Sequence, residues 1–121
     1  MVVEHDEAPD AAEQQVDRVF SALADRTRRD ILRQAMAGEH SVSVLARRYP
    51  MSFAAVQKHI AVLERAGLVI KHRRGRQQLV VTDIQTIHAA NQLLDQLDAL
   101  WRSRLDRFCQ VLTEPVEGAS R

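Results

Sequence analysis

The sequence predicts a mainly α-helical fold with one small β-hairpin, and three observations carry that reading. Apolar residues recur at three- and four-residue spacing along most of residues 11–112, as they do in helices with one buried face. The spacing is broken by two β-type runs, Leu68-Val69-Ile70 and Leu79-Val80-Val81, on either side of a polar stretch centred on Gly75. A chain of 121 residues, 45% hydrophobic and 27% charged, can bury one core but is too short for two ordinary domains.

The elements follow in order. From Ala12, Val16, Val19, Phe20 and Leu23 fall at helical spacing and predict a first helix. In "ADRTRRDILRQAM", Asp25 is the expected N-cap and Ile31, Leu32, Ala35 and Met36 the buried stripe. Gly38 is expected to end this second helix in the usual glycine manner. "HSVSVLARRYP" predicts a short third helix with Ser43 as N-cap, Leu45 and Ala46 inward, and Pro50 closing it. In "MSFAAVQKHIAVLERAGL", Ser52 caps a fourth helix, Val56, Ile60 and Leu63 face the core, and Gly67 stops it. The hairpin comes next, with Gly75 supplying the turn. After Asp83 the helical pattern returns through Ile84, Ile87, Asn91, Leu94, Asp98, Trp101, Leu105, Phe108 and Leu112, widened by Leu93, Leu97 and Leu100. This is one long helix, or two with a break. The expected organisation is a disordered acidic N-terminus over 1–10, one domain with a C-terminal dimerisation helix over 11–112, and a flexible tail over 113–121.

The net charge of +1 conceals a strong asymmetry. Met1 to Asp17 carries net −6, Arg18 to Thr82 net +9, and Asp83 to Arg121 net −2. Lys71, Arg73, Arg74 and Arg76 crowd around Gly75 at the hairpin tip. A basic middle of this kind attracts polyanions whatever the total charge; a solvated surface is the plainer account of any single charge run. No apolar run reaches the roughly 18 residues of a membrane span, and the acidic first residues do not read as a signal peptide. The single cysteine, Cys109, fits a reducing, cytoplasmic setting and reads as a free thiol. There is no Gly-rich phosphate loop, no nucleophile elbow and no clustered carboxylate-His set, so neither catalysis nor a cofactor is expected.

A short helix, a tight turn and a longer capped helix make a helix-turn-helix, whose second helix enters the DNA major groove. A basic hairpin directly after it reads as a wing along the sugar-phosphate backbone. The predicted fold is therefore a winged helix-turn-helix. Taken in order, "ALADRTRRDIL", "SVLARRYPMSFAAVQKHIAVLERAGLV" and "RRGRQQLVV" resemble the ArsR-type winged helix-turn-helix transcriptional regulators, from about Val19 to Thr82. "ALWRSRLDRF" is similar to the tail of a branch lacking the metal-binding cysteine motif. The resemblance implies a homodimer that represses transcription from an inverted-repeat operator and that an effector, where one exists, releases. Metal sensors of the family carry two cysteines and an aspartate where this chain has Ser41, Ser43 and Val44. Asp83, His88, Asp95 and Asp98 lack the spacing of the family's other metal site, so no metal is expected, and an organic effector stays open.

The expected DNA-binding set joins the fourth helix and the wing. Phe53, Ala54, Gln57 and Lys58 lie opposite the buried stripe. Gln57 is the best base reader and Lys58 a phosphate contact. Ser52 can add a phosphate contact at the helix N-terminus. His59, beside the stripe, is either packed or a DNA contact. Arg73, Arg74 and Arg76 belong to the wing. Arg28 and Arg29 are assigned to packing and ion pairs of the second helix. The final helix has more apolar positions than one small core can cover. Leu94, Leu97, Trp101, Leu105 and Phe108 are therefore expected to form a dimer interface with Val16, Val19 and Phe20 of the first helix. The competing reading is a winged-helix module whose wing binds an acidic protein partner.

Overall fold

The computed structural model describes residues 10–113; the terminal segments predicted to be disordered or flexible lie almost wholly outside the described residues. Helix α1 spans Ala11–Leu23 and α2 spans Arg26–Ala37. Each starts on an aspartate that satisfies a free backbone donor of its first turn. Asp10 accepts from the Glu13 N–H at 2.8 Å, and Asp25 accepts from the Thr27 N–H at 3.0 Å. Helix α2 buries Ile31, Leu32 and Ala35. Met36 stays half exposed, contrary to expectation. At 100° per residue it sits about 90° from the centre of the other three, off the buried stripe.

Gly38 does not adopt the left-handed cap either. Its φ is 174°, ordinary extended backbone. The chain leaves α2 directly into a short strand, β1 (His40–Ser41), which continues into α3 (Val42–Ala46). Ser41, rather than Ser43, caps α3: its hydroxyl accepts from the Val44 N–H at 3.1 Å. Strand pairing fixes this register, since the extended residue ending β1 already has the backbone an N-cap requires.

Helix α4 (Phe53–Arg65) is capped by Ser52, whose hydroxyl accepts from the Ala55 N–H at 3.1 Å. It ends at Gly67, with φ +79° and a bond from the Leu68 N–H to the Leu63 carbonyl at 3.0 Å. A Cβ at Gly67 would also lie 2.5 Å from the Gln15 side-chain amide, so conformation and space both favour glycine there. Strands β2 (Val69–Arg74) and β3 (Gln77–Thr82) form the wing, with Arg74 opposite Gln77. Gly75 takes the first turn position at φ +61° while Arg76 keeps a negative φ, the pattern of a type II′ hairpin turn. The sheet has three strands rather than the predicted two. β1 adds to the free edge of β3 in the order β1-β3-β2, pairing His40 with Val80 and Ser41 with Leu79.

The core joins α1 to α4 and the sheet: Val19, Ile31, Leu45, Val56, Ile60, Leu63, Leu68, Val69 and Val80 are almost completely buried. Val19, expected at a dimer interface, is 1% exposed and is a core residue of its own chain. Val16 is half-buried and Phe20 exposed on the same helix. Helix α5 (Ile84–Thr113) is one unbroken helix. Contacts divide the chain into two compact units that part at Ala90. In the first, α5 contributes Thr86 and Ala90, both buried, and a half-buried Ile87. In the second, described from Asn91 to Thr113, every residue is exposed, and local bonds such as Arg102 to Asp98 at 2.8 Å decorate the helix.

Candidate nucleic-acid interface

The burial of Val56, Ile60 and Leu63 decides which face of α4 is free. Ser52, Phe53, Ala54, Gln57 and Lys58 are all exposed. His59 is not part of that face. Its Nδ1 lies 3.5 Å from the Arg28 guanidinium and 3.9 Å from the Asp25 carboxylate, so the ring is drawn toward α2. The ring is thus partly buried, beside Arg28 and Asp25. Arg28 and Arg29 act where the sequence assigns them. Arg28 donates to the Ala22 carbonyl at 2.8 Å and the Ser21 carbonyl at 3.2 Å, and Arg29 to the Leu23 carbonyl at 2.8 Å. They bond the last carbonyls of α1, where the helix's own N–H groups run out; the Ser21 carbonyl also accepts from the Ala24 N–H at 3.2 Å.

A polar network holds the turn between α3 and α4 against α2. The Tyr49 hydroxyl donates to Asp30 at 2.7 Å, and the Gln34 amide donates to the same carboxylate at 3.1 Å. Gln34 also donates to the Tyr49 oxygen at 3.0 Å, and Arg48 donates to the Gln34 carbonyl. The bond from Tyr49, then that from Gln34, holds the Asp30 carboxyl below its ordinary pKa. Partial burial, then the bond to Asp30, pushes the Tyr49 phenol well above its ordinary value. The phenol therefore remains a donor throughout the physiological range. The network fixes where α4 begins relative to α2, and so where Phe53 and Gln57 stand.

The basic hairpin is less uniform in the fold than in the sequence. Lys71 pairs with Glu64 of α4 at 3.7 Å. Arg74 forks onto the Glu39 carboxylate at 3.2 and 3.5 Å, with both side chains largely in solvent. Among the described residues, Arg73 and Arg76 are held by no ion pair. Between α3, the first turns of α4 and the wing lies an open groove of about 280 Å³. Ser43, Arg47, Phe53, Gln57, Lys71, Arg76 and Gln78 line it. The groove thus brings together the predicted base reader Gln57 and the wing residue Arg76. Arg47 and Ser43 join them from α3, and both escaped the sequence-based selection. The signal for Arg47 was present: it directly follows the buried pair Leu45-Ala46 at the C-cap of α3 and is exposed.

A helix-turn-helix domain model matches residues 23–72, from the end of α1 into β2. The HTH-type transcriptional regulator Rv2034 of Mycobacterium tuberculosis is 35% identical over 96 residues, covering 79% of this chain and 87% of that protein. The crystal structure of the ArsR family transcriptional regulator RHA00566 superposes with a TM-score of 0.71 at 32% identity, covering 80% of this chain and 98% of that one. The chain belongs to the ArsR-type winged helix-turn-helix transcriptional regulators. As in the fold of this family, α3 and α4 are the helix-turn-helix and β2–β3 the wing. A further relative in structure is the homodimeric winged helix-turn-helix DNA-binding domain of Mb0332 from Mycobacterium bovis, at 27% identity and a TM-score of 0.55, covering 83% of this chain and 89% of that fragment. The regulator's Ser41 and Ser43 now have roles of their own. Ser41 is buried and caps α3, while Ser43 opens onto the groove. Among the described residues, no three His, Cys, Asp or Glu side chains cluster as a metal site would require, and no helix is long and apolar enough to cross a membrane.

Proposed function

We propose that this regulator is a cytoplasmic homodimer that represses transcription by occupying an inverted-repeat operator. The observation that carries the reading is the groove between α4 and the wing. It sets an exposed amide, Gln57, beside cations from two different elements, Arg47 and Arg76. A base reader flanked by phosphate-binding cations is what sequence-specific duplex binding requires. Ser52, Lys58 and Arg73 extend the phosphate-binding surface, Arg74 joins it when it leaves Glu39, and Ala54 allows close approach to the groove floor.

Dimerisation is supported by α5, where Leu94, Leu97, Trp101, Leu105 and Phe108 are exposed along one helix. So much apolar surface is stable only when covered, and a second copy of the same helix is self-complementary. Val16 and Phe20 are accessible on α1 and extend the proposed interface. A two-fold dimer reads half-sites about one helical turn, or roughly 34 Å, apart. Repression needs nothing beyond occupancy of the promoter. Control by metal is not part of the reading: serine hydroxyls stand where thiolates would be needed, and soft metals select sulfur. Control would then rest on autorepression, on an organic ligand or on oxidation of Cys109.

Fluorescence anisotropy with duplex DNA tests the reading. The full chain is expected to bind nonspecific duplex at low salt, with log affinity falling linearly as log salt rises. A chain that binds acidic polypeptides but no duplex would be a protein-interaction module instead.

A further inference from the structure

We propose that Phe53 and Gln57 work as a two-residue reader of neighbouring T·A and A·T pairs. The Phe53 ring packs on a thymine 5-methyl group, and the Gln57 amide makes paired hydrogen bonds to adenine N6 and N7. The inference rests on the DNA-binding reading above and deepens it by naming the base chemistry of the operator half-site.

Phe53 is where the argument starts. It is the first residue of α4 and 48% exposed. The helix start does not need its ring. Ser52 supplies the cap, and Met51 is the neighbouring apolar residue that packs against the core. An exposed phenyl ring keeps unfavourable hydration unless a ligand covers it. The ring lies in the same groove as Gln57, one turn away. Four residues advance an α-helix by about 6 Å and rotate it by only about 40°. That advance is under two base-pair steps of roughly 3.4 Å. One short segment of major groove therefore meets both side chains.

Chemistry then selects the bases. A phenyl ring has no donor for phosphate, and in the major groove the apolar group at the base edges is the thymine methyl. A glutamine amide offers a donor and an acceptor side by side. Guanine presents two acceptors there and cytosine a donor, whereas adenine presents the matching acceptor–donor pair, N7 and N6. Arg47 and Arg76 border the same groove and hold the flanking phosphates, which fixes the register in which the two contacts are made.

The test uses the full chain. Duplexes selected from a random pool are sequenced, and affinity is measured by anisotropy on the selected duplex and on two single-atom-group variants. One replaces a thymine by deoxyuridine, removing only the methyl; the other replaces an adenine by 7-deazaadenine, removing only N7. The selected half-site is expected to contain a thymine and an adenine within two steps. Deoxyuridine should weaken wild-type binding roughly fourfold and 7-deazaadenine about tenfold. Phe53→Ala should bind the thymine duplex as weakly as the wild type binds the uridine duplex, and should no longer distinguish the two. Gln57→Ala should lose the 7-deazaadenine effect in the same way. Binding of the wild type to nonspecific duplex at low salt, measured alongside, separates this inference from DNA binding as such. A selected half-site without T·A pairs, or a uridine penalty that persists undiminished in Phe53→Ala, overturns the reader while leaving DNA binding intact. Failure of the wild type to bind any duplex removes both.

Discussion

Helix α4 and the second half of α5 are both exposed helices, yet they are exposed in opposite ways. Helix α4 buries one face completely through Val56, Ile60 and Leu63 and offers the solvent small, polar and basic side chains around a single aromatic ring. From Asn91 onward α5 buries nothing and offers Leu94, Leu97, Leu100, Trp101, Leu105 and Phe108. The first helix is complete as a folded element and lacks only a polar, charged ligand. The second is incomplete as a folded element, because a helix apolar along one face gains its stability from what covers that face. On the function proposed above, recognition and assembly are divided between two helices of one chain, and each can be disturbed without touching the other.

The largest effect should come from making α5 resemble α4. The double change Leu97→Glu with Trp101→Glu puts two charges on the apolar face one turn apart. We expect light scattering to report a monomer at micromolar concentration. Operator affinity should fall by about 100-fold or more, because a linked second half-site contributes on the order of 10²–10⁴ through effective concentration. Binding of each chain to nonspecific duplex should persist. A dimer that survives both charges would mean that the two copies meet elsewhere.

The next effect tests what holds α4 in place. Tyr49→Phe removes the donor that Asp30 relies on most. The site is partly exposed, so a loss of about 1 kcal/mol is expected in urea unfolding at fixed protein concentration. The pH dependence has a definite sign. Asp30 titrates below its ordinary value in the folded chain, so its contribution is present above that ordinary value and is lost as pH falls through the folded one. The deficit of Tyr49→Phe should therefore be full at neutral pH and shrink as the pH falls below the ordinary carboxylate range. A deficit that is constant with pH would show that the phenol acts by packing alone.

What could be read in the sequence divides along a physical line. Ser52, Gly67 and Gly75 announce themselves because caps and turns are local: one residue's chemistry decides a few neighbouring dihedrals. The buried stripe of α4 is legible for the same reason, since its period repeats within one helix. Strand β1 is not, because two residues carry no period and exist as a strand only through β3, some forty positions later. The same pairing moved the α3 cap from Ser43 to Ser41. Val19 fits the helical spacing of a dimer face and of a core equally well, and only tertiary packing decides between them. The neighbours of His59 and the groove beside Arg47 were equally hidden, because other elements, Arg28 and Asp25 in the one case and the wing in the other, determine what each side chain faces.

The smallest effect concerns the wing, where the fold adds what the sequence cannot show. The run from Lys71 to Arg76 contains no acid, yet Arg74 is held by Glu39 from 35 positions away. Among the described residues Arg76 has no such partner, and it lines the groove. The two arginines should therefore not be equivalent. Arg76→Ala is expected to lower the slope of log affinity against log salt by about one unit, on specific and nonspecific duplex alike. Arg74 must give up Glu39 before it can neutralise a phosphate, and the pair is exposed, so that competition is worth only a few tenths of a kcal/mol. Glu39→Gln should release Arg74 and raise nonspecific affinity at low salt by about twofold, the gain vanishing as salt screens both interactions. Anisotropy titrations of Arg76→Ala and Glu39→Gln over the same salt series separate the two. If Glu39→Gln weakens DNA binding instead, the ion pair is holding the wing in the shape that DNA requires rather than competing with it.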